Sequence, residues 1–255
     1  MSEAPDWYAC AAIVERGDPD RFRAAMAALA AAREILFPIY AANVEIARAP
    51  WVTQEPMIAE MRLQWWRDVM DEIIAGGEVR RHEVATPLAR VLSKAGAEAL
   101  DTLIAARRWD IYKDPFEDEA DFTRYLEQTG GGLLFAACDA LGTCDRTVAM
   151  HAGYAAGLAG FFQAIPALEE AKRVPLLDGR TEAISALAKN GLDRLKTARQ
   201  SRSSLAKEAC IALWQAEPLL RQAMKDPRAV GEGRLEVSAL TSSLRLSKAA
   251  LLARW

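Results

Sequence analysis

The chain has 255 residues, 51% of them hydrophobic, with a net charge of −3 and a pI near 5.6. It can bury a large core, and its acidic balance with scattered Lys and Arg excludes a phosphate-backbone binder, so no nucleic acid partner is expected. Four cysteines (Cys10, Cys138, Cys144, Cys210) form no CxxC pair, and the two histidines are His82 and His151. Zinc is offered no closely spaced ligands, so free buried thiols in a reducing compartment are expected, with His151 a packed or capping residue.

Met1 to Gly17 holds Glu3, Asp6 and Glu15 and lacks both a basic start and an apolar run, which argues against a targeting segment. No uninterrupted apolar stretch nears the length of about 18 residues that spans a bilayer. A soluble, cytoplasmic protein is the expectation.

Ala, Leu, Arg, Glu and Met dominate nearly every long segment, and alternating β-branched runs are absent, so the chain reads as all-α. Asp18-Pro19 opens a first helix near residue 19, bent at Pro38, with Phe22, Met26, Leu29, Leu36, Tyr40 and Val44 as its buried stripe. Thr53 caps the next, which ends at Gly76-Gly77. Further helices are predicted from Thr86-Pro87, over Glu98 to Trp109, from Asp121 to Leu141, and from Asp145 to Ile165, where Pro166 stops the last. Glu169 to Arg180 reads as a polar loop, followed by helices over roughly 182–199, 202–224 and 237–253. Without a repeat or a linker, residues 1–255 are expected to form one domain.

Three segments carry candidate chemistry. Gly130-Gly131-Gly132 interrupts a helical pattern at a cost of about 1 kcal/mol per glycine, which a close neighbouring helix, a bound chain or a simple kink explains. Gly153, Gly157 and Gly160 permit similar closeness, and Phe161 and Phe162 add an apolar floor. In Glu60 to Asp68, Met61, Trp65, Val69 and Ile73 continue an apolar stripe. Trp65 is therefore assigned to the core, and Trp66, on the same face as Arg62, to a ligand or partner contact. Asp68, Asp71 and Glu72 share a helix face and are weak metal candidates, a solvated face paired with Arg67 and Arg62 being favoured.

The Trp-pair helix, Tyr125 to Leu134 (YLEQTGGGLL) and Gly157 to Leu176, in that order, resemble the squalene/phytoene synthase family, whose enzymes join two prenyl diphosphates; the likeness covers most of residues 20–180. The resemblance implies an isoprenoid-synthase bundle of antiparallel helices around an apolar cavity. In active relatives two facing aspartate-rich motifs hold Mg²⁺, a hard cation that wants carboxylate oxygens and neutralises the leaving diphosphate.

This chain departs from both motifs. It has Ala47, Arg48 and Trp51 where the first would place its acids, and Ala164 and Leu168 where the second would. Glu45, Glu169 and Glu170 lie nearby, but one residue turns a helical side chain by about 100°, and the latter two follow Pro166 onto the predicted loop.

A non-catalytic family member is therefore expected, with no catalytic residue and no cofactor. The non-catalytic members it resembles imply a role in assembling respiratory complex I, with a membrane-complex subunit as partner and a place peripheral to the inner membrane. An isoprenoid or lipid is the implied ligand, with Tyr40, Arg62, Trp66, Tyr125, Gly131, Phe162 and Gln163 as binding candidates. The alternatives are an active prenyl transferase with rearranged acids, which would need Mg²⁺, and an isoprenoid-lipid carrier without an assembly role.

Overall fold

A computed structural model describes residues 7–252 and 255; residues 1–6 and 253–254, including Glu3 and Asp6 and the predicted end of the last helix, lie outside it. The fold is all-α. Its helices are α1 (Trp7–Gly17), α2 (Pro19–Ala27), α3 (Ala30–Arg48), α4 (Pro56–Ala75), α5 (Ala85–Val91), α6 (Lys94–Ala106), α7 (Glu119–Leu126), α8 (Gly132–Ala140), α9 (Arg146–Glu170), α10 (Thr181–Gln200), α11 (Lys207–Cys210), α12 (Ala216–Lys225), α13 (Arg228–Gly231) and α14 (Ala239–Leu252). A bridge between Cys144 and Leu205 is the isolated β pairing among the described residues.

One apolar core runs through the bundle, with α9 packed against α8, α10, α12 and the segment between α7 and α8. Residues 147–168 of α9 carry no charge, so contrary to the sequence expectation one helix has the length and mean hydropathy (1.2) of a membrane-crossing segment. Its most apolar window is 56% buried against neighbouring helices, as a core helix would be.

The structure corrects several predicted boundaries. The first long helix breaks at Ala28–Leu29, so Leu36, Tyr40 and Val44 are buried while Met26 and Leu29 are exposed. Glu55, not Thr53, precedes α4; the Thr53 hydroxyl instead accepts from the Glu55 amide at 3.1 Å. Ser93 caps α6, earlier than the predicted start at Glu98. Pro166 does not stop α9, which continues to Glu170 because Ile165 and Leu168 are buried on either side of it. Glu169 and Glu170 therefore sit on the last helical turn rather than on a loop. The predicted helix over 202–224 is two short turns, α11 and then α12.

Between α10, α12 and α14, Glu217 accepts from Arg199 at 3.0 Å and Arg221 at 2.7 Å, and lies 3.4 Å from Arg245. Burial alone would raise this carboxyl, but hydrogen bonds and charge from Arg199 and Arg221 outweigh it and hold the pKa down to about 2, against 4.5 for a free glutamate. Its contribution to stability is complete above pH 4.5 and drains away as the pH falls towards 2. Denaturant midpoints compared at about pH 6 and about pH 3 should fall further for the native chain than for Glu217→Gln. Parallel pH profiles would contradict this.

Candidate functional site

Helix α2 starts at Pro19 because Asp18 caps it, accepting from the Arg21 amide at 3.0 Å. The same carboxylate binds the Arg21 guanidinium, which lies over the Tyr40 ring. Burial disfavours the Arg21 charge, but Asp18 more than offsets it and the guanidinium stays firmly protonated. Opposite, a 3₁₀ turn at Arg107–Asp110 ends α6. Arg107 donates to Asp110 at 3.0 Å and to the Tyr125 hydroxyl oxygen at 2.8 Å, while that hydroxyl donates to Asp110 at 3.1 Å. Burial pushes the Tyr125 phenol well above its ordinary range, so it remains a neutral donor.

Tyr125 is followed by a π-helical turn, Glu127–Gly131. The glycines have a packing reason. A Cβ on Gly130 would meet the Gly153 carbonyl oxygen at 2.4 Å, and one on Gly131 would meet the Met150 sulfur at 2.7 Å. Of the explanations left open by the sequence, the close neighbouring helix is the one present.

These elements surround a cavity of about 530 Å³. Asp18, Arg21, Asn43, Arg107, Asp110 and Tyr125 form its polar wall, and Leu126, Leu133, Gly157 and Phe161 its apolar wall. Its rim includes Arg48 and Trp51. Arg173 packs over Trp51 (5.0 Å to the ring centroid) and donates to the backbone carbonyls of Trp109, Asp110 and Tyr112, tying the end of α9 to the 107–112 turn.

All five positions that depart from the aspartate motifs, Ala47, Arg48, Trp51, Ala164 and Leu168, line this cavity. Glu45, Glu169 and Glu170 do not; Glu45 pairs with Arg48 at 3.4 Å, and the other two are exposed. The carboxylates lining the cavity are Asp18 and Asp110, each engaged by its own arginine, and no group of three metal-ligating side chains occurs among the described residues. This donor set does not fit a Mg²⁺–diphosphate clamp, which needs carboxylate oxygens free to bind metal.

Of the predicted ligand residues, Tyr125 lines the cavity. Tyr40 is buried behind Arg21, Gly131 against Met150, and Phe162 in the core beside the cavity-facing Phe161. Gln163 points outward and donates to the Leu235 carbonyl at 3.1 Å. The Trp pair is reversed from expectation: Trp66 is buried with Ala59, Leu63 and Val69, while Trp65 is half-buried beneath Arg80 and beside His82. Neither Trp66 nor the exposed Arg62 reaches the cavity. Asp68 and Glu72 form the expected solvated ion-pair face, but with Arg80 (3.7 and 2.6 Å), while Arg67 bonds Asp101 on α6 at 2.7 Å. Asp71 is exposed beside them.

Sequence reasoning missed Arg21, Asn43, Arg107 and Asp110. The Arg107/Asp110 spacing of three was an available signal, but Tyr125, its third member, is 15 residues further on. The cysteines also approach more closely than their spacing suggested: the Cys138 thiol is hydrogen-bonded to both Cys144 and Cys210, and all remain free. Cys144 is half-buried rather than buried. His151, within α9, is a packed residue and does not line the cavity.

Residues 14–238 match the squalene/phytoene synthase family. The chain belongs to that family. Two solved structures share the fold: a dehydrosqualene synthase in complex with ligand (TM-score 0.77, 14% identity, covering 97% of this chain and 96% of that one) and squalene synthase HpnC from Alicyclobacillus acidocaldarius (TM-score 0.73, 13% identity, 88% and 94%). In sequence, this squalene/phytoene synthase family member is 27% identical over 215 residues to the Drosophila melanogaster homolog of NADH dehydrogenase (ubiquinone) complex I assembly factor 6, covering 79% of this chain. It is 23% identical over 158 residues to the human assembly factor 6, covering 61% of this chain. The chain spans 61% of the fly protein's length and 46% of the human protein's.

Proposed function

We propose that this family member is non-catalytic and assists the assembly of a membrane respiratory complex, complex I being the one named for its curated relatives. The observation that carries this is the cavity wall. The motif positions face the hollow as Ala47, Arg48, Trp51, Ala164 and Leu168, and the two lining carboxylates are already neutralised by Arg21 and Arg107. A departing diphosphate would meet neither a metal clamp nor a surplus of positive charge.

The hollow itself favours a ligand over a pure scaffold, because its own side chains do not fill it. Its volume lies within the range of small-molecule sites, and its balanced charges suit an apolar chain with a neutral polar end. An isoprenoid or other lipid tail of that kind is the ligand we assign to it. Work beside a membrane-bound client places the protein at the inner-membrane surface.

Incubation with farnesyl or geranylgeranyl diphosphate and Mg²⁺ is expected to release no diphosphate above the protein-free rate. Turnover abolished by a chelator would overturn the non-catalytic reading. In the host, deleting the gene should deplete assembled NADH:ubiquinone oxidoreductase on native gels; an unchanged complex would remove the assembly role.

A further inference from the structure

Helix α14 presents two unlike faces. Ser242 and Ala249 are buried, and Leu246 and Ala250 pack against the core. On the other side Leu240, Leu244 and Leu251 are 81%, 72% and 82% exposed. At about 100° per residue, these three leucines fall within roughly 40° of one another and form a single stripe. Scattered exposed leucines need no explanation, but an aligned set on one helix does.

Along one flank of the stripe runs a cleft of about 400 Å³. Four cationic side chains line it, Arg199, Arg202, Arg245 and Lys248, against one carboxylate, Glu217. Glu217 is already engaged by Arg199, Arg221 and Arg245, whereas Arg202 and Lys248 form no ion pair among the described residues. The Arg199 Nε is buried and has no acceptor. Leu244 lines the cleft as well as the stripe, so the apolar and cationic surfaces are continuous.

We propose that this face docks onto the surface of an anionic phospholipid bilayer, with the leucines entering the acyl boundary and the cleft cations receiving lipid phosphates. A helix with leucines on one face and cations beside them is suited to the plane of the interface, and its attraction to negative headgroups falls as salt screens it. A second copy of the chain is the poorer occupant. A symmetric contact through the stripe would set two cation-rich clefts against each other. The surface is separate from the cavity, so it stands or fails independently of the non-catalytic reading.

The full chain should float with vesicles of phosphatidylcholine and phosphatidylglycerol, not with phosphatidylcholine alone, and should be released by high salt. The exposed pair Leu244→Asp/Leu251→Asp should lose about tenfold or more of that binding, as should Arg202→Glu/Lys248→Glu. Circular dichroism melts of both variants should match the native chain, since neither pair is buried. Equal binding by the variants, or equal binding to neutral vesicles, overturns the proposal. So does a native chain that ignores vesicles but forms concentration-dependent dimers dispersed by the leucine substitutions, because the stripe is then a self-association surface.

Discussion

Asp110→Ala is expected to destabilise the protein by about 3 kcal/mol, the lower end of the range for breaking a buried ion pair. Asp110 is buried and accepts from both Arg107 and Tyr125, so its removal strands a guanidinium whose Nε already lacks an acceptor. The lower end applies because Arg107 faces the cavity, where solvent can take up some of the lost interaction. Tyr125→Phe removes one hydrogen bond while leaving the ion pair whole, and should cost about 1 kcal/mol. Urea denaturation of the three proteins at neutral pH tests the ordering. A loss below about 1 kcal/mol for Asp110→Ala would show that cavity water replaces the carboxylate.

Gly153→Ala should cost at least about 3 kcal/mol, at or above the usual range for overpacking. A methyl there would meet the Gly130 oxygen at 2.4 Å and the Gly131 Cα at 2.5 Å, both backbone atoms that cannot swing aside. Gly160→Ala on the same helix is the control. Nothing lies within 4 Å of its added Cβ, so the substitution should stabilise by up to about 1 kcal/mol through helix propensity. Equal denaturant midpoints for the two variants would mean that α9 and the glycine turn do not pack as closely as described.

The helical class, the sharp stop of α4 at Gly76 and the emptied motif positions were legible in the sequence, because each rests on local chemistry: propensity, a left-handed glycine, the absence of acids. What was not legible depended on partners distant in the chain. Leu29 enters α3 without a side-chain cap, so the break before it leaves no signature. Pro166 reads as a stop, yet burial of Phe162, Ile165 and Leu168 outweighs the lost hydrogen bond. The Trp pair was assigned by following Met61, and Met61 is exposed; Ala59 and Leu63, less conspicuous, mark the buried face. Within the site, Asp18 was visible as a helix cap but not as the counter-charge of a cavity-lining arginine, since one carboxylate performs both tasks.

The π turn at Glu127–Gly131 has a consequence for every residue after it. Eight residues of ordinary helix would leave Tyr125 and Leu133 about 80° apart around the axis, whereas one extra residue in the turn brings them to within about 20°. Both therefore face the same hollow. The glycine run acts as a frameshift written in space: removing a single glycine would leave the rest of the sequence intact, yet rotate Phe135, Ala136 and Cys138 of α8 out of register with the core that reads them.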